Sequence, residues 1–395
     1  MVEEYDVIVA GGGPAGLMCS QKLAEKGVSV LCLEKLQEIG APVRCAEGLG
    51  LGWFNRLNIK PDKAWAVNEI RGGALWTPKG KKVELRTKKT SGYVLERRIF
   101  EKELARWAAK KGAKIIVKCP IIDAKRRDGM VDVTAEYFGE SVKYRAKVIV
   151  AADGIESRIA RMLGMDTKIS LVDVDSGFQY EMAGIDFDDP DLITLFFGNN
   201  IAPRGYCWVF PKGKHEANVG VGIGGNQTKK ARYYLDKFIA AHKGLENGSK
   251  IIVNAGAIPV GGFLDNMVMD NMVVVGDAAH QVDPIHGGGM GIVMEAGQIA
   301  ADVISDSLKK KDLSQKALAP YNSKWYETRG THLKGRLKRR LMLEEMSDED
   351  FETIADNLTG DEVLKLAEGD LGMKAKIGLR FIKKPALMKK MLKHL

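Results

Sequence analysis

Tyr5-Asp6-Val7-Ile8-Val9-Ala10-Gly11-Gly12-Gly13-Pro14-Ala15-Gly16 decides the fold. A continuous apolar run halts at a glycine-rich turn. A helical pattern carrying Leu17, Leu23 and Ala24 follows and ends at Gly27. Val28-Ser29-Val30-Leu31-Cys32-Leu33-Glu34 then reads as a second buried strand. Strands apolar on both faces belong to parallel sheets covered by helices. The turn fits GxGxxG between strand and helix. Gly11 permits the tight turn, Gly13 lets backbone approach a pyrophosphate, and Gly16 lets helix pack on strand. The helix start offers unpaired N–H groups and the positive end of a dipole to the phosphates. Glu34 closes the second strand, placed to accept hydrogen bonds from an adenosine ribose and to repel a 2′-phosphate. The fold expected is α/β, with a Rossmann-type domain for FAD or NAD rather than NADP.

Two further strand ends narrow the nucleotide to a flavin. Ala151-Ala152-Asp153-Gly154-Ile155-Glu156-Ser157-Arg158 follows the buried run 147–153, and Gly276-Asp277-Ala278-Ala279-His280 follows 272–276. Each sets a carboxylate at the carboxyl end of a strand, where α/β sheets bind ligands. Asp277 is placed for a ribityl hydroxyl. Pro284-Ile285-His286-Gly287-Gly288-Gly289-Met290-Gly291 opens a helix near 289–309 whose N–H groups can face a flavin carbonyl or phosphate. A second GxGxxG unit and a redox CxxxxC are both missing, which argues against a disulfide reductase.

Outside these motifs the chain divides by pattern. Residues 66–92 and 170–265 show the alternation and glycine punctuation of antiparallel strands. A discontinuous FAD-binding domain is expected over 1–65, 93–165 and 266–310. An antiparallel substrate domain is expected over 66–92 and 166–265, and a basic helical C-terminal region over 311–395. Within the substrate domain, Tyr206, Trp208 and Phe210 of Pro203-Arg204-Gly205-Tyr206-Cys207-Trp208-Val209-Phe210-Pro211 share one face of a strand. They make a long apolar wall with two polar handles. Gly220-Val221-Gly222-Ile223-Gly224-Gly225 reads as a strand that needs small side chains beneath a ligand.

Bulk properties bound the setting. The 395 residues are 45% hydrophobic and 28% charged, as in ordinary globular proteins. The five cysteines lie apart, so neither a disulfide framework nor a zinc site is expected, and a reducing cytoplasm suits them. No secretory signal is expected from the acidic start, and no apolar run approaches the roughly 18 residues that span a bilayer. A net charge of +9 calls for an anionic partner. Leu371–Leu395 holds eight Lys or Arg and no acid, with Met388, Met391, Leu392 and Leu395 at helical spacing. A basic amphipathic helix resting on the inner face of an anionic membrane is the expectation there; no nucleic-acid partner is expected.

The cofactor motifs resemble the glutathione-reductase-like flavoprotein superfamily, in the branch that holds FAD hydroxylases and geranylgeranyl reductases. PxxYxWxFP, followed by Gly220 and Gly222, is similar to the geranylgeranyl reductase signature. Gly40-Ala41-Pro42-Val43-Arg44-Cys45-Ala46-Glu47-Gly48 resembles the archaeal members that act on digeranylgeranylglycerophospholipids. The resemblance puts cofactor contacts on Ala15, Glu34, Arg44, Cys45, Ala46, Gly48, Arg97, Ile121, Asp277, Gly288, Gly289 and Met290. It puts substrate contacts on Tyr206, Trp208, Phe210, Gly220 and Gly222, and catalysis on Cys45, Tyr206 and Trp208. The reaction it implies is reduction of isolated C=C bonds in the geranylgeranyl chains of an ether-linked phospholipid, giving saturated chains for membrane lipid. Hydride would come from flavin N5 and a proton from Cys45, Tyr206 or a bound water. The external donor expected is NAD(P)H or reduced ferredoxin. An FAD-dependent hydroxylase is the enzymatic alternative; a non-catalytic, membrane-associated flavin or electron-transfer protein is the other.

Overall fold

In the computed structural model, residues 2–368 and 370–394 are described. β1 (Glu3–Ala10), α1 (Pro14–Glu25) and β2 (Val30–Leu33) form the opening unit, with β1 and β2 parallel. Gly13 caps α1 and Pro14 occupies its first turn, where a missing N–H costs nothing. Next come β3 (Gly48–Gly50), α2 (Leu51–Leu57), β4 (Ala66–Ile70), β5 (Gly72–Trp76), β6 (Lys82–Arg86) and β7 (Gly92–Leu95). The stretch 66–92 is shared between two sheets. β3, β7 and β4 make a small antiparallel sheet, whereas β5 and β6 continue the large antiparallel one.

α3 (Arg97–Lys110), β8 (Lys114–Ile116), β9 (Ile121–Arg127), β10 (Met130–Tyr137) and β11 (Glu140–Ala151) return to the first domain, and α4 (Arg158–Met162) follows. β12 (Val174–Ala183), β13 (Ile193–Phe197), β14 (Tyr206–Pro211), β15 (Glu216–Gly224), α5 (Ala231–Ala241) and β16 (Ser249–Pro259) build the second lobe. Its sheet runs β16-β12-β15-β14-β13-β5-β6. Helix α5 falls in a stretch whose pattern suggested strands alone. Its Leu235, Phe238 and Ile239 cover the Cys207, Val209, Val219 and Val221 face of that sheet. The chain then closes the first sheet, β17-β18-β11-β1-β2-β8, with β17 (Val268–Met269) and β18 (Met272–Val274). β11 lies parallel to both β1 and β18, so three strand ends, at Ala10, Ala151 and Val274, are brought level. α6 (Met290–Lys310) packs on α1.

The remainder is helical: α7 (Gln315–Leu318), α8 (Pro320–Trp325), a π-helical turn at Tyr326–Gly330, α9 (Thr331–Glu344), α10 (Asp348–Asn357), α11 (Gly360–Glu368), α12 (Leu371–Arg380) and α13 (Pro385–His394). Here the structure corrects the reading of the tail. Leu387 and Met391 of α13 are buried with Met342, Met346, Leu358 and Phe381, and Met388 packs against them. The stripe assigned to lipid is therefore covered by the chain's own α9 and α10. Leu395 and the side chain of Leu392 lie outside what is described. The basic tail also meets an acidic stretch, 344–362: Lys390 pairs with Asp350 at 2.7 Å, Lys393 with Glu345 at 2.6 Å and Arg380 with Glu362 at 2.6 Å. Among the described residues, no helix is long and apolar enough to cross a membrane.

Candidate active site

The dinucleotide end is built from backbone. Gly11 sits at φ +116°, and a Cβ there would collide with the Ala152 carbonyl; at Gly16 it would strike the Gly11 carbonyl. A Cβ at Gly13 would instead meet open space, a hollow in front of the first turn of α1 where a pyrophosphate fits. Ala15 is buried in that turn. Glu34 accepts the Gly12 N–H at 2.6 Å and the Leu36 N–H at 2.8 Å, fixing the turn from the end of β2. Its backbone carbonyl takes the Cys119 N–H at 2.8 Å, which holds the segment leading to Ile121 along the same side. Asp153 Oδ2 caps α4 through the Ile159 N–H at 3.0 Å, while Oδ1 is buried without a partner. Burial raises the pKa of both Asp153 and Asp277, the latter against the pull of Arg97. A carboxyl oxygen buried without a partner on Asp153, with the Asp277 carboxyl at the adjoining strand end, is what a polyol chain would satisfy. Gly289 lies beside the Asp277 carboxyl, with Gly288 before it and Met290 opening α6.

The opposite wall is built from side chains drawn from distant parts of the sequence. Residues 45–48 form a loop that Glu47 clamps from a left-handed backbone, φ +72°. The Glu47 carboxylate accepts the Arg97 N–H at 2.7 Å and the Asn218 amide at 2.6 Å, and Lys212 Nζ stands 3.2 Å away. Lys212 also meets Glu96 at 2.6 Å and Glu181 at 2.7 Å. Burial pushes the Glu47 pKa up, and Lys212 opposes it. Burial likewise works against charge on Lys212, but Glu47, Glu181 and Glu96 outweigh it and raise its pKa. The Arg97 side chain pairs with Glu101 and reaches the Cys45 sulfur, which also accepts the Glu47 N–H at 3.1 Å. Ala46 O accepts from Asn218 at 3.3 Å, and Arg44 lies against Gly256 of β16.

Tyr206, Trp208 and Phe210 face this loop, and Cys207 and Val209 face α5, as alternation along β14 requires. Trp208 Nε1 donates to Gln179 Oε1 at 2.9 Å, and the Gln179 amide donates to Cys45 O at 3.0 Å. The Phe210 ring is packed so closely on Gly48 that a Cβ there would fall 2.7 Å from it. Tyr206 OH donates to His286 O at 2.6 Å, tying β14 to the glycine loop ahead of α6. Burial holds the Tyr206 pKa well above its usual value, so this phenol keeps its proton and spends it on a carbonyl. What covers Gly220 is the Trp208 indole itself, which a Cβ would overlap, and Gly222 lies under the same ring. The structure thus brings Cys45, Ala46, Gly48, Arg97, Tyr206, Trp208 and Phe210 together through direct contacts and through Glu47, Gln179 and Asn218. Gly11, Gly13, Glu34 and Ile121 lie apart from this group, around the ends of β1 and β2 and the start of β9. Glu47, Gln179, Lys212 and Asn218 were not anticipated; alternation of Asp175, Gly177, Gln179 and Glu181 along β12 is the one signal that places Gln179 on this face.

Comparison with known proteins agrees with this arrangement. Residues 6–84 match the FAD binding domain model, and residues 173–258 match the geranylgeranyl reductase catalytic domain. The latter span holds β12, β14 and β15. The digeranylgeranylglycerophospholipid reductase of Methanocaldococcus jannaschii is 39% identical, over 98% of this chain and 97% of that protein. That of Methanosarcina acetivorans is 38% identical, over 91% of this chain and 89% of its own. A geranylgeranyl bacteriochlorophyll reductase-like structure from Thermoplasma acidophilum superposes with a TM-score of 0.91 at 34% identity, covering 100% of both chains. The flavin-dependent brominase Bmp2, at 19% identity and a TM-score of 0.72, shares the fold. The two family models and the relatives above 30% identity make the protein an FAD-dependent reductase, and the chain belongs to the digeranylgeranylglycerophospholipid reductase family.

Proposed function

We propose that this enzyme reduces the isolated C=C bonds in the geranylgeranyl chains of an ether-linked phospholipid, with FAD as the resident cofactor. The observation that carries the reading is the aromatic face of β14, held by Gln179 and His286 against the Cys45–Gly48 loop and the glycine loop before α6. Gly11, Gly13, Gly16 and the first turn of α1 would hold the pyrophosphate, Glu34 the adenosine ribose, and Asp277 the ribityl chain. Asp153, Arg97, Gly288, Gly289 and Met290 would complete the cradle. Bound and reduced, FAD supplies hydride at N5. The protein's part is to lay an unfunctionalised alkene against the ring and exclude water. Tyr206, Trp208 and Phe210 supply the apolar wall. The Glu47–Lys212 cluster holds the Cys45 loop, and with it the distance between wall and ring.

Because the phenol of Tyr206 is committed to His286 O, its role is to fix the loop rather than to give up a proton. The electron donor is external, NAD(P)H or reduced ferredoxin, in keeping with the single GxGxxG unit. A cytoplasmic enzyme with peripheral membrane contact fits a lipid substrate. With Met388 and Met391 turned inward, that contact falls to the end of α12 and the turn after it, where Leu379 and Ile382 are exposed beside basic Lys383 and Lys384.

The test is direct. Purified holoprotein reduced anaerobically and mixed with a digeranylgeranyl ether phospholipid should reoxidise and yield lipid heavier by one H2 per turnover. Reoxidation that waits for O2 and leaves a hydroxylated product would replace this reading with a hydroxylase; no turnover would leave only flavin binding.

A further inference from the structure

We propose that Asp175 is the acid that protonates the substrate's double bond, acting from a cleft that ends at Tyr206. The inference rests on the reductase reading above and supplies the proton donor that reading lacks. On β12, Asp175 shares its face with Gln179, the residue that bonds both Trp208 and Cys45, so its side chain points to the active side of the sheet. It lines a small cleft with Tyr206, where Phe197, Ile285, Leu343 and Phe351 offer the end of an apolar chain one side beside Arg204, Arg340 and Glu344.

Asp175 Oδ1 is buried and accepts no hydrogen bond. Two arginines face it, and apart from the unpartnered Arg204 Nε their hydrogen bonds go elsewhere. Arg204 holds Glu344 at 2.9 Å and the Val172 carbonyl at 2.8 Å; Arg340 holds Glu344 at 2.7 Å and the Val260 carbonyl at 2.7 Å. The charged and titratable groups around Asp175 are therefore Arg340 and Glu344 from α9, Arg204 from the turn before β14, and Tyr206 from β14. Burial dominates among their effects and pushes the Asp175 pKa up to about 6, near the working range of a general acid. Of the side chains considered above, Tyr206 already gives its O–H to His286 O, and the Cys45 sulfur lies on the loop that Glu47 clamps, outside this cleft.

The step balances. As the carboxyl O–H breaks, a C–H bond forms at one alkene carbon, while the other carbon receives hydride, the two electrons coming from the reduced cofactor. The carboxylate left behind regains its proton from water in the cleft.

The test compares wild type, Asp175→Asn and Asp175→Glu as reduced holoproteins mixed with the digeranylgeranyl ether phospholipid. Asp175→Asn should keep FAD and its reduction by dithionite but slow lipid-driven reoxidation by about a hundredfold or more, the scale of a lost general acid. Asp175→Glu should recover part of the rate. The wild-type rate should fall as pH rises through about 6, since the acid must be protonated, and Asp175→Asn should lose that limb. An infrared carboxyl band of the native holoprotein should titrate over the same range and be missing in Asp175→Asn, a readout independent of turnover. Turnover by Asp175→Asn within threefold of wild type, with the same pH limb, overturns the assignment; wild type that reduces no lipid overturns the reductase reading instead.

Discussion

The two walls of the active site are made differently. The dinucleotide wall uses backbone amides, three glycines within six residues, and carboxylates at strand ends that the parallel sheet brings level. The aromatic wall depends on side chains that meet across 134 residues between Cys45 and Gln179, and 171 between Glu47 and Asn218. A site of the first kind tolerates change anywhere except at its motif. One of the second kind depends on charges and ring edges whose partners lie in other elements, so single substitutions should propagate.

The strongest way to break this contrast is at Lys212. Lys212→Met removes the one cation among Glu47, Glu96 and Glu181 and leaves buried carboxylates unpaired, a change that typically costs about 3–5 kcal/mol. Thermal and urea unfolding should show that loss. A Tm within 2 °C of wild type, a margin set by roughly 1 kcal/mol for a chain this long, would mean the cluster does not hold the loop. Asp277→Ala attacks the other wall and should weaken FAD by about 1–3 kcal/mol, the scale of a lost buried hydrogen bond, while the fold stays intact. Unchanged flavin affinity by titration would remove Asp277 from the cradle.

Trp208→Ala should retain FAD and its reduction yet reduce lipid about tenfold more slowly, equivalent to about 1.4 kcal/mol of transition-state contact. Cys207→Ala, on the α5 side, should stay within about threefold, a difference of less than 1 kcal/mol. Equal rates for the two variants would make the aromatic face mere core. The smallest effect concerns stability. The Asp175 carboxyl is raised to about 6 from an ordinary 3.8, so whatever it contributes below about pH 4 is lost as pH rises through 6. Asp175→Asn should therefore gain Tm over wild type between pH 4 and 6 and hold that gain above. Parallel Tm curves would place the carboxyl in contact with water.

Much of this was legible before any coordinates. GxGxxG followed by Glu34, and the alternation that turns Tyr206, Trp208 and Phe210 to one side, are local signals, because hydrogen-bonding geometry at a tight turn or along a strand is fixed by near neighbours. The clamp on Glu47 was not legible. Lys212 reads as a surface lysine after a proline, and only the pairing of β15 with both β14 and β12 reveals the carboxylates around it. Gly220 and Gly222 read as places for small side chains beneath a ligand, and what lies over them is the Trp208 indole of the next strand. Met388 and Met391 had the periodicity of a membrane-facing helix, and periodicity names an apolar face without naming what covers it.

The placement of the five thiols has a practical consequence. Cys19, Cys32, Cys119 and Cys207 are buried, and burial pushes each of these thiols up, Cys32 to about 12. Cys45 alone is partly open, at the lip of the Glu47 loop. Since alkylation requires access and thiolate together, a maleimide added to the folded protein addresses one sulfur, and that sulfur sits on the loop bordering the proposed substrate space. The molecule thus carries its own footprinting probe: a chain seated in that space should shield Cys45, so protection can rank candidate lipids without any turnover.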